Sequence, residues 1–144
     1  MPNLTTPRSE HASPLAGVVD LATAQAAARK ILETALSSDR EAYFAQAGVR
    51  LLTALLLAAS RGGHPFSQVG LWADECQHAG NKVPATLAGL LTGPDADPAD
   101  QLAYTQFNAT YVRLRDGGDG ERSAVWGVLE TALGLYLPGQ SLAV

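Results

Sequence analysis

From Tyr43 to Ser60 the chain carries five polar side chains: Tyr43, Gln46, Arg50, Thr53 and Ser60. Gln46, Arg50 and Thr53 recur at helical offsets, so on a helix they share one narrow stripe. The rest of the circumference is apolar. Such a helix must be enclosed by other helices. The stretch therefore predicts a central post over about Glu41–Arg61, with the remaining chain wrapped around it.

The flanking segments read as that wrapping. Asp20 is a good N-cap for a first helix, whose apolar face uses Leu21, Ala24, Ala28, Ile31, Leu32 and Ala35. Gln25, Arg29, Lys30 and Glu33 face outward. Ser37, Ser38 and Asp39 form a break, and Ser38 or Asp39 is expected to cap the central helix. Arg61-Gly62-Gly63 ends it with glycine in the usual C-terminal place. A third helix opens at Phe66-Ser67, with Ser67 as the cap and Phe66 and Leu71 as a hydrophobic staple. Val69, Trp72 and Cys76 line its inner face, and Ala79-Gly80-Asn81 stops it.

A short fourth helix follows Pro84 with Leu87, Leu90 and Leu91 inward. Asp97-Pro98 gives a cap followed by proline at the first helical position. Asp100 adds negative charge to that first turn, where the helix dipole favours it. Tyr104, Phe107, Tyr111 and Leu114 make one stripe. Asp116 to Gly120 reads as a glycine-rich loop. A last helix runs from about Ser123 to Tyr136 on Val125, Leu129, Ala132, Leu133 and Tyr136, and Pro138-Gly139 ends it. The fold expectation is all-α, a compact bundle of about six helices. The segment leading in from Ser13-Pro14 is expected to be extended, and Val18-Val19 gives the single strand-like hint. Residues 1–13, polar and aperiodic, read as a flexible tail; 14–144 read as one domain, a size that can bury its own core.

Composition narrows the function classes. Of 144 residues, 47% are apolar and 17% charged, and the net charge is −4. That balance disfavours a domain built to grip a phosphate backbone, which needs a basic face. The single cysteine, Cys76, has no internal disulfide partner, which suits a reducing cytoplasm. The longest apolar run, Leu51 to Ala59, falls short of the roughly 18 residues a membrane span needs. The N-terminus has no signal-peptide core. Direct membrane contact is therefore not expected.

Candidate chemistry is sparse. Gly62-Gly63 and Gly117-Gly118 lack the Gly-Lys-Ser/Thr ending of a phosphate-binding loop. In Asp74-Glu75-Cys76-Gln77-His78, Cys76 and His78 lie two apart and diverge by roughly 200° on a helix, so one tetrahedral metal does not suit both. His11 and His64 fall in the tail and in a turn. No G-x-S-x-G elbow occurs, and Cys76 has no histidine base that the sequence can place. Asp95, Asp97, Asp100, Asp116, Asp119 and Glu121 crowd loops and helix starts, where capping and solvation account for them. The third and fourth helices around Gly80 imitate a helix-turn-helix. The would-be recognition helix, Pro84 to Leu91, carries Thr86 but no Arg, Lys, Asn or Gln to read bases. Lys82, Arg113 and Arg115 are the candidate phosphate contacts. Tyr104, Phe107 and Tyr111 form a stacking platform only if they face solvent. An exposed Trp72 or Trp126 would anchor a partner. No catalytic, cofactor or metal residue is nominated, the chain is not expected to be an enzyme by itself, and the partner-binding face is not specified.

One family shares this layout. S-P-L-A-G at Ser13–Gly17, a D-x-x-T-A helix start at Asp20 with Arg29 downstream, Tyr43-Phe44 and the L-L-T-A-L-L-L-A-A run resemble the TraG-type coupling proteins of conjugative type IV secretion systems. G-x-P-F-x-x-V-x-x-W over Gly63–Trp72 and R-S-A-V-W over Arg122–Trp126 follow in the same order. The resemblance spans roughly Ser13 to Tyr136. It implies the all-α domain inserted in a RecA-like DNA-transfer ATPase, excised here from a larger motor protein. It further implies a hexameric parent at the cytoplasmic face of the membrane, with ATP and magnesium in motor segments outside this domain. The implied role is recognition of relaxase, relaxosome or other secreted protein substrates, with weak or indirect DNA contact and a monomeric isolated domain. A free-standing helical adaptor, dimeric through exposed leucines, and a small DNA-binding regulator are the alternative readings.

Overall fold

The computed structural model describes residues 14–34 and 39–136. After a short 3-10 turn at Pro14–Gly17 it has six α-helices: α1 (Leu21–Glu33), α2 (Asp39–Gly62), α3 (Phe66–Glu75), α4 (Val83–Leu91), α5 (Pro98–Asp116) and α6 (Asp119–Tyr136). The described residues contain no strand, and Val18-Val19 is part of the turn leading into α1. The expected tail at 1–13, Ala35, the Ser37-Ser38 break and the Pro138-Gly139 stop lie outside the described residues.

The architecture is a helical bundle in which α2 packs against each of the other five helices. Its stretch from Leu51 to Ala59 is buried throughout. Around it lie Ile31 and Leu32 of α1, Phe66 and Trp72 of α3, Leu87 and Leu91 of α4, Phe107 and Leu114 of α5, and Leu129 and Leu133 of α6, all buried in one cluster. By length and composition 42–62 is also long and apolar enough to cross a bilayer, at a mean hydropathy of 1.5, a property hidden from a search for unbroken apolar runs. Of that window 67% is buried inside the bundle, as in a core helix.

Local signals fix the helix ends. At α1, the Asp20 carboxylate accepts from the Thr23 backbone N–H at 2.9 Å, and the Thr23 hydroxyl oxygen accepts from the Asp20 N–H at 3.0 Å, a reciprocal capping box. At the end of α2, Gly63 takes φ 69°, while His64 N–H donates to the Ala59 carbonyl and Gly63 N–H to that of Ser60, a Schellman stop. Ser60 Oγ donates to the Val18 carbonyl at 2.8 Å, tying the chain entry to this end of α2.

Several expectations are corrected. Pro14–Gly17 coils into a 3-10 turn rather than an extended lead. Asp39 is the first residue of α2, which leaves Ser38, outside the described residues, as the remaining cap candidate. At α3 the cap is Pro65, extended at ψ 164°, and Ser67 lies within the helix. No staple forms there: Phe66 points inward, and Leu71, about 140° around the helix from it, is exposed. The fourth helix begins at Val83, with Pro84 in its first turn. The Asp116–Gly120 loop shrinks to Gly117-Gly118, because α6 begins four residues ahead of Ser123. At Gly117 an added Cβ would lie 2.8 Å from the Arg113 carbonyl oxygen, so the tight link depends on glycine. Along the polar stripe of α2, Gln46 and Arg50 are exposed, whereas Thr53 is buried.

Candidate functional site

Two clefts of similar size open near opposite ends of α5. The first, of about 500 Å³, lies where α2 ends and α5 begins, and is lined by Arg61, Leu90, Asp95, Asp97 and Asp100 among others. The second, of about 550 Å³, lies between the α3–α4 turn and the α5–α6 junction. It is lined by Gln77, His78, Asn81, Pro84, Asn108, Tyr111, Arg115, Arg122 and Trp126, with Cys76 at its floor.

In the first cleft Arg61 and Asp100 are committed to the fold, while Asp95 and Asp97 are exposed. Asp100 is 4% exposed, and its two carboxylate oxygens accept from Arg61 Nε at 2.7 Å and Nη2 at 3.1 Å. The planar fork meets the carboxylate edge-on, the arrangement that most favours an Arg–Asp pair. The hydrogen bond that Arg61 donates to Asp100 chiefly raises the Arg61 pKa, with the charges of Asp100, Asp97 and Asp20 adding to it. Asp97 caps α5 by backbone geometry alone, without a side-chain hydrogen bond. Sequence reasoning gave Asp100 a solvated helix-start role. Its burial comes from a partner 39 residues away, which local pattern does not reveal.

In the second cleft the charges lie open. Arg115 pairs with Asp116, its own neighbour, at 2.9 Å, and Arg122 pairs with Asp119 one turn back. With Asp74 3.8 Å from the His78 imidazole, each of the three basic side chains lining this cleft already faces a carboxylate at its edge. The hydrogen bond and charge of Arg115 hold Asp116 below the usual carboxylate range. Asn81 organises one wall. Its amide donates to the His78 carbonyl and to Tyr111 Oη, each at 2.8 Å, and its oxygen accepts from Val83 N–H at 3.0 Å. The Tyr111 ring stacks on buried Phe107, centroids 5.7 Å apart and planes at 14°. Asn108 is half-buried in the lining, and its amide makes no hydrogen bond among the described residues.

The sequence candidates fall as follows. Cys76 is buried and His78 exposed, and the His78 imidazole lies 3.8 Å from Asp74. Burial, with a smaller contribution from Glu75, pushes the Cys76 thiol up to about 12. Among the described residues no three His, Cys, Asp or Glu converge as metal ligands. Gly117-Gly118 leads into Asp119 and Glu121, whose charge repels phosphate. Tyr104, Phe107 and Tyr111 turn into the bundle, with Phe107 fully buried, and Trp72 and Trp126 are buried as well. On α4 the exposed side chains are Ala85 and Thr86, which offer no base-reading fork. Arg113 is engaged by Glu121 at 2.8 and 2.9 Å. Arg122 and Asn108 were not foreseen as site residues, because the cleft is assembled from four separate helices or turns.

No protein-family model, no curated protein and no solved structure matches this chain.

Proposed function

We propose that this chain is the all-α, substrate-recognition domain of a TraG-type conjugative coupling protein, acting by contact and without turnover. One observation carries the reading. The segments that bear the resemblance meet in one core: Leu51–Ala59 at the centre, with Phe66, Val69 and Trp72 on one side and Val125 and Trp126 on another. A shared core of this kind is what an inserted domain would retain while its clefts and exposed faces vary with cargo. On this reading the parent is a hexameric motor at the cytoplasmic face of the membrane. ATP and magnesium belong to its motor segments, and this chain docks relaxase, relaxosome or other secreted proteins.

The test has two parts. The coding DNA on both sides of the segment is sequenced, and the domain is titrated with the relaxase encoded beside it. A phosphate-binding loop upstream and saturable relaxase binding are expected. Flanking DNA without motor motifs would overturn the reading. The alternative is then the helical adaptor, favoured by Leu71 and Leu135, both about half exposed on the packed pair α3 and α6.

A further inference from the structure

We propose that Asp119 is a site of spontaneous isomerisation, where the Asp119–Gly120 peptide passes through a cyclic imide to isoaspartate. The inference stands whether or not the chain belongs to a secretion motor. The sequence holds two Asp-Gly steps, Asp116-Gly117 and Asp119-Gly120, both at the α5–α6 link. The fold holds them differently, and that difference selects the site.

The step needs water and no other reactant. The Gly120 amide nitrogen attacks Cγ of the Asp119 carboxyl. The nitrogen gives up its proton, the carboxyl gives up its hydroxyl, and one water leaves. A water then opens the imide by breaking the bond between that nitrogen and the main-chain carbonyl carbon of Asp119. The chain now runs through Cγ, with one extra methylene in the backbone and a free α-carboxylate. Glycine is the permissive follower, because a Cβ beside the nitrogen would crowd the attack and restrict the backbone.

Carboxyl, nitrogen and backbone all favour Asp119 over Asp116. The Asp119 side chain is 87% exposed, and a single one of its oxygens accepts from Arg122. Both oxygens of Asp116 accept from Arg115, and its side chain is 62% exposed. A carboxylate held this way by a cation resists the protonation that makes it an electrophile, and the Arg115 hydrogen bond keeps Asp116 below the usual carboxylate range. Gly120 lies in the first turn of α6, where N–H groups have no intrahelical acceptor, and its nitrogen makes no hydrogen bond among the described residues. Asp119 opens α6 behind two glycines, at a helix end free to fray into the conformation that the ring needs. Asp116 closes α5 against a tight link, where a Cβ at Gly117 would lie 2.8 Å from the Arg113 carbonyl oxygen.

The experiment incubates the full chain in warm, mildly acidic buffer, with and without urea. Isoaspartate is located by electron-transfer fragmentation of its peptides, which tells the isomers apart at unchanged mass. The total is counted from the methyl groups that a protein isoaspartate O-methyltransferase adds from labelled S-adenosylmethionine. In the native chain conversion is expected several times faster at Asp119 than at Asp116. In urea, which removes the structural difference, the two rates should converge. Gly120→Ala should slow the native reaction at Asp119 by about tenfold, a barrier rise of about 1.4 kcal/mol. Asp119→Glu keeps the charge but would need a six-membered ring, so it should abolish conversion there and leave Asp116 unchanged. Circular dichroism of each variant checks that it is folded. No isoaspartate at Asp119 in the native chain, a native rate at Asp116 that equals or exceeds it, or indifference to Gly120→Ala would each overturn the proposal.

Discussion

The two clefts use the same pair of residue types to opposite ends. Where α2 meets α5, Arg61 and Asp100 are locked together with the carboxylate out of water. At the α5–α6 junction, Arg115 and Arg122 hold their aspartates in water. A carboxylate stripped of solvent cannot release its partner without a large cost, so the first pair is structural. An exposed pair gives up its partner easily, so the second set contributes little to the fold. Burial, rather than residue identity, separates scaffold from site.

The sharpest probe of that contrast is Cys76, at the floor of the open cleft. With its thiol pushed up to about 12 by burial, alkylation by iodoacetamide near pH 8 should run roughly a thousandfold slower than in the urea-unfolded chain. Rapid labelling of the native protein would mean that the open cleft reaches into the core.

Next comes Arg61→Ala, which strands the Asp100 carboxylate. Breaking a fully buried pair costs about 3–5 kcal/mol. Because the Arg61 side chain is 33% exposed, a loss of about 2–3 kcal/mol in urea denaturation is expected here. A negligible loss would erase the distinction between the two ends.

Thr53 extends the same logic to a neutral group. Its hydroxyl is buried and has no hydrogen-bond partner among the described residues. Thr53→Val should therefore stabilise the fold by about 1 kcal/mol, seen as a higher urea midpoint at unchanged slope.

Asp20 supplies an exposed comparison. Its carboxyl is held below its ordinary value, chiefly by the Thr23 N–H and then by the Thr23 hydroxyl. A depressed folded-state pKa contributes stability above the unfolded value, and the contribution is lost as pH falls through the depressed one. Asp20→Asn should keep the cap and flatten the acid limb of Tm against pH below about 4.

The smallest effect is expected from Arg115→Gln and Arg122→Gln together, which should leave the thermal midpoint unchanged. A clear fall would make the open cleft part of the scaffold.

The helices and their enclosure of α2 were legible because they rest on local periodicity and on caps within a few residues. Asp20 with Thr23, the glycine stop at Gly63 and the inward faces of α5 and α6 are of this kind. What escaped depended on distant neighbours. Ser67 looked like a cap because its type favours one, but Pro65 already held the extended geometry the helix start needed. Thr53 shares a polar stripe with Gln46 and Arg50, yet the surrounding helices close over it. Asp100 looked like a dipole-friendly surface acid until Arg61 arrived from another helix. The open cleft was invisible for the same reason: its wall residues come from 76–84, 108–115 and 122–126, and no single stretch carries their combined charge.

Helix α5 also sets how independently the two ends behave. From Asp100 to Arg115 the helix rises about 22 Å at 1.5 Å per residue. The Debye length at physiological salt is about 8 Å, so little of the field at one end survives to the other. Removing charge at the α5–α6 junction should leave the Arg61–Asp100 pair nearly untouched in physiological buffer, with the two stability effects simply adding. Coupling between the two ends would emerge chiefly as salt is removed, making ionic strength the variable that links them.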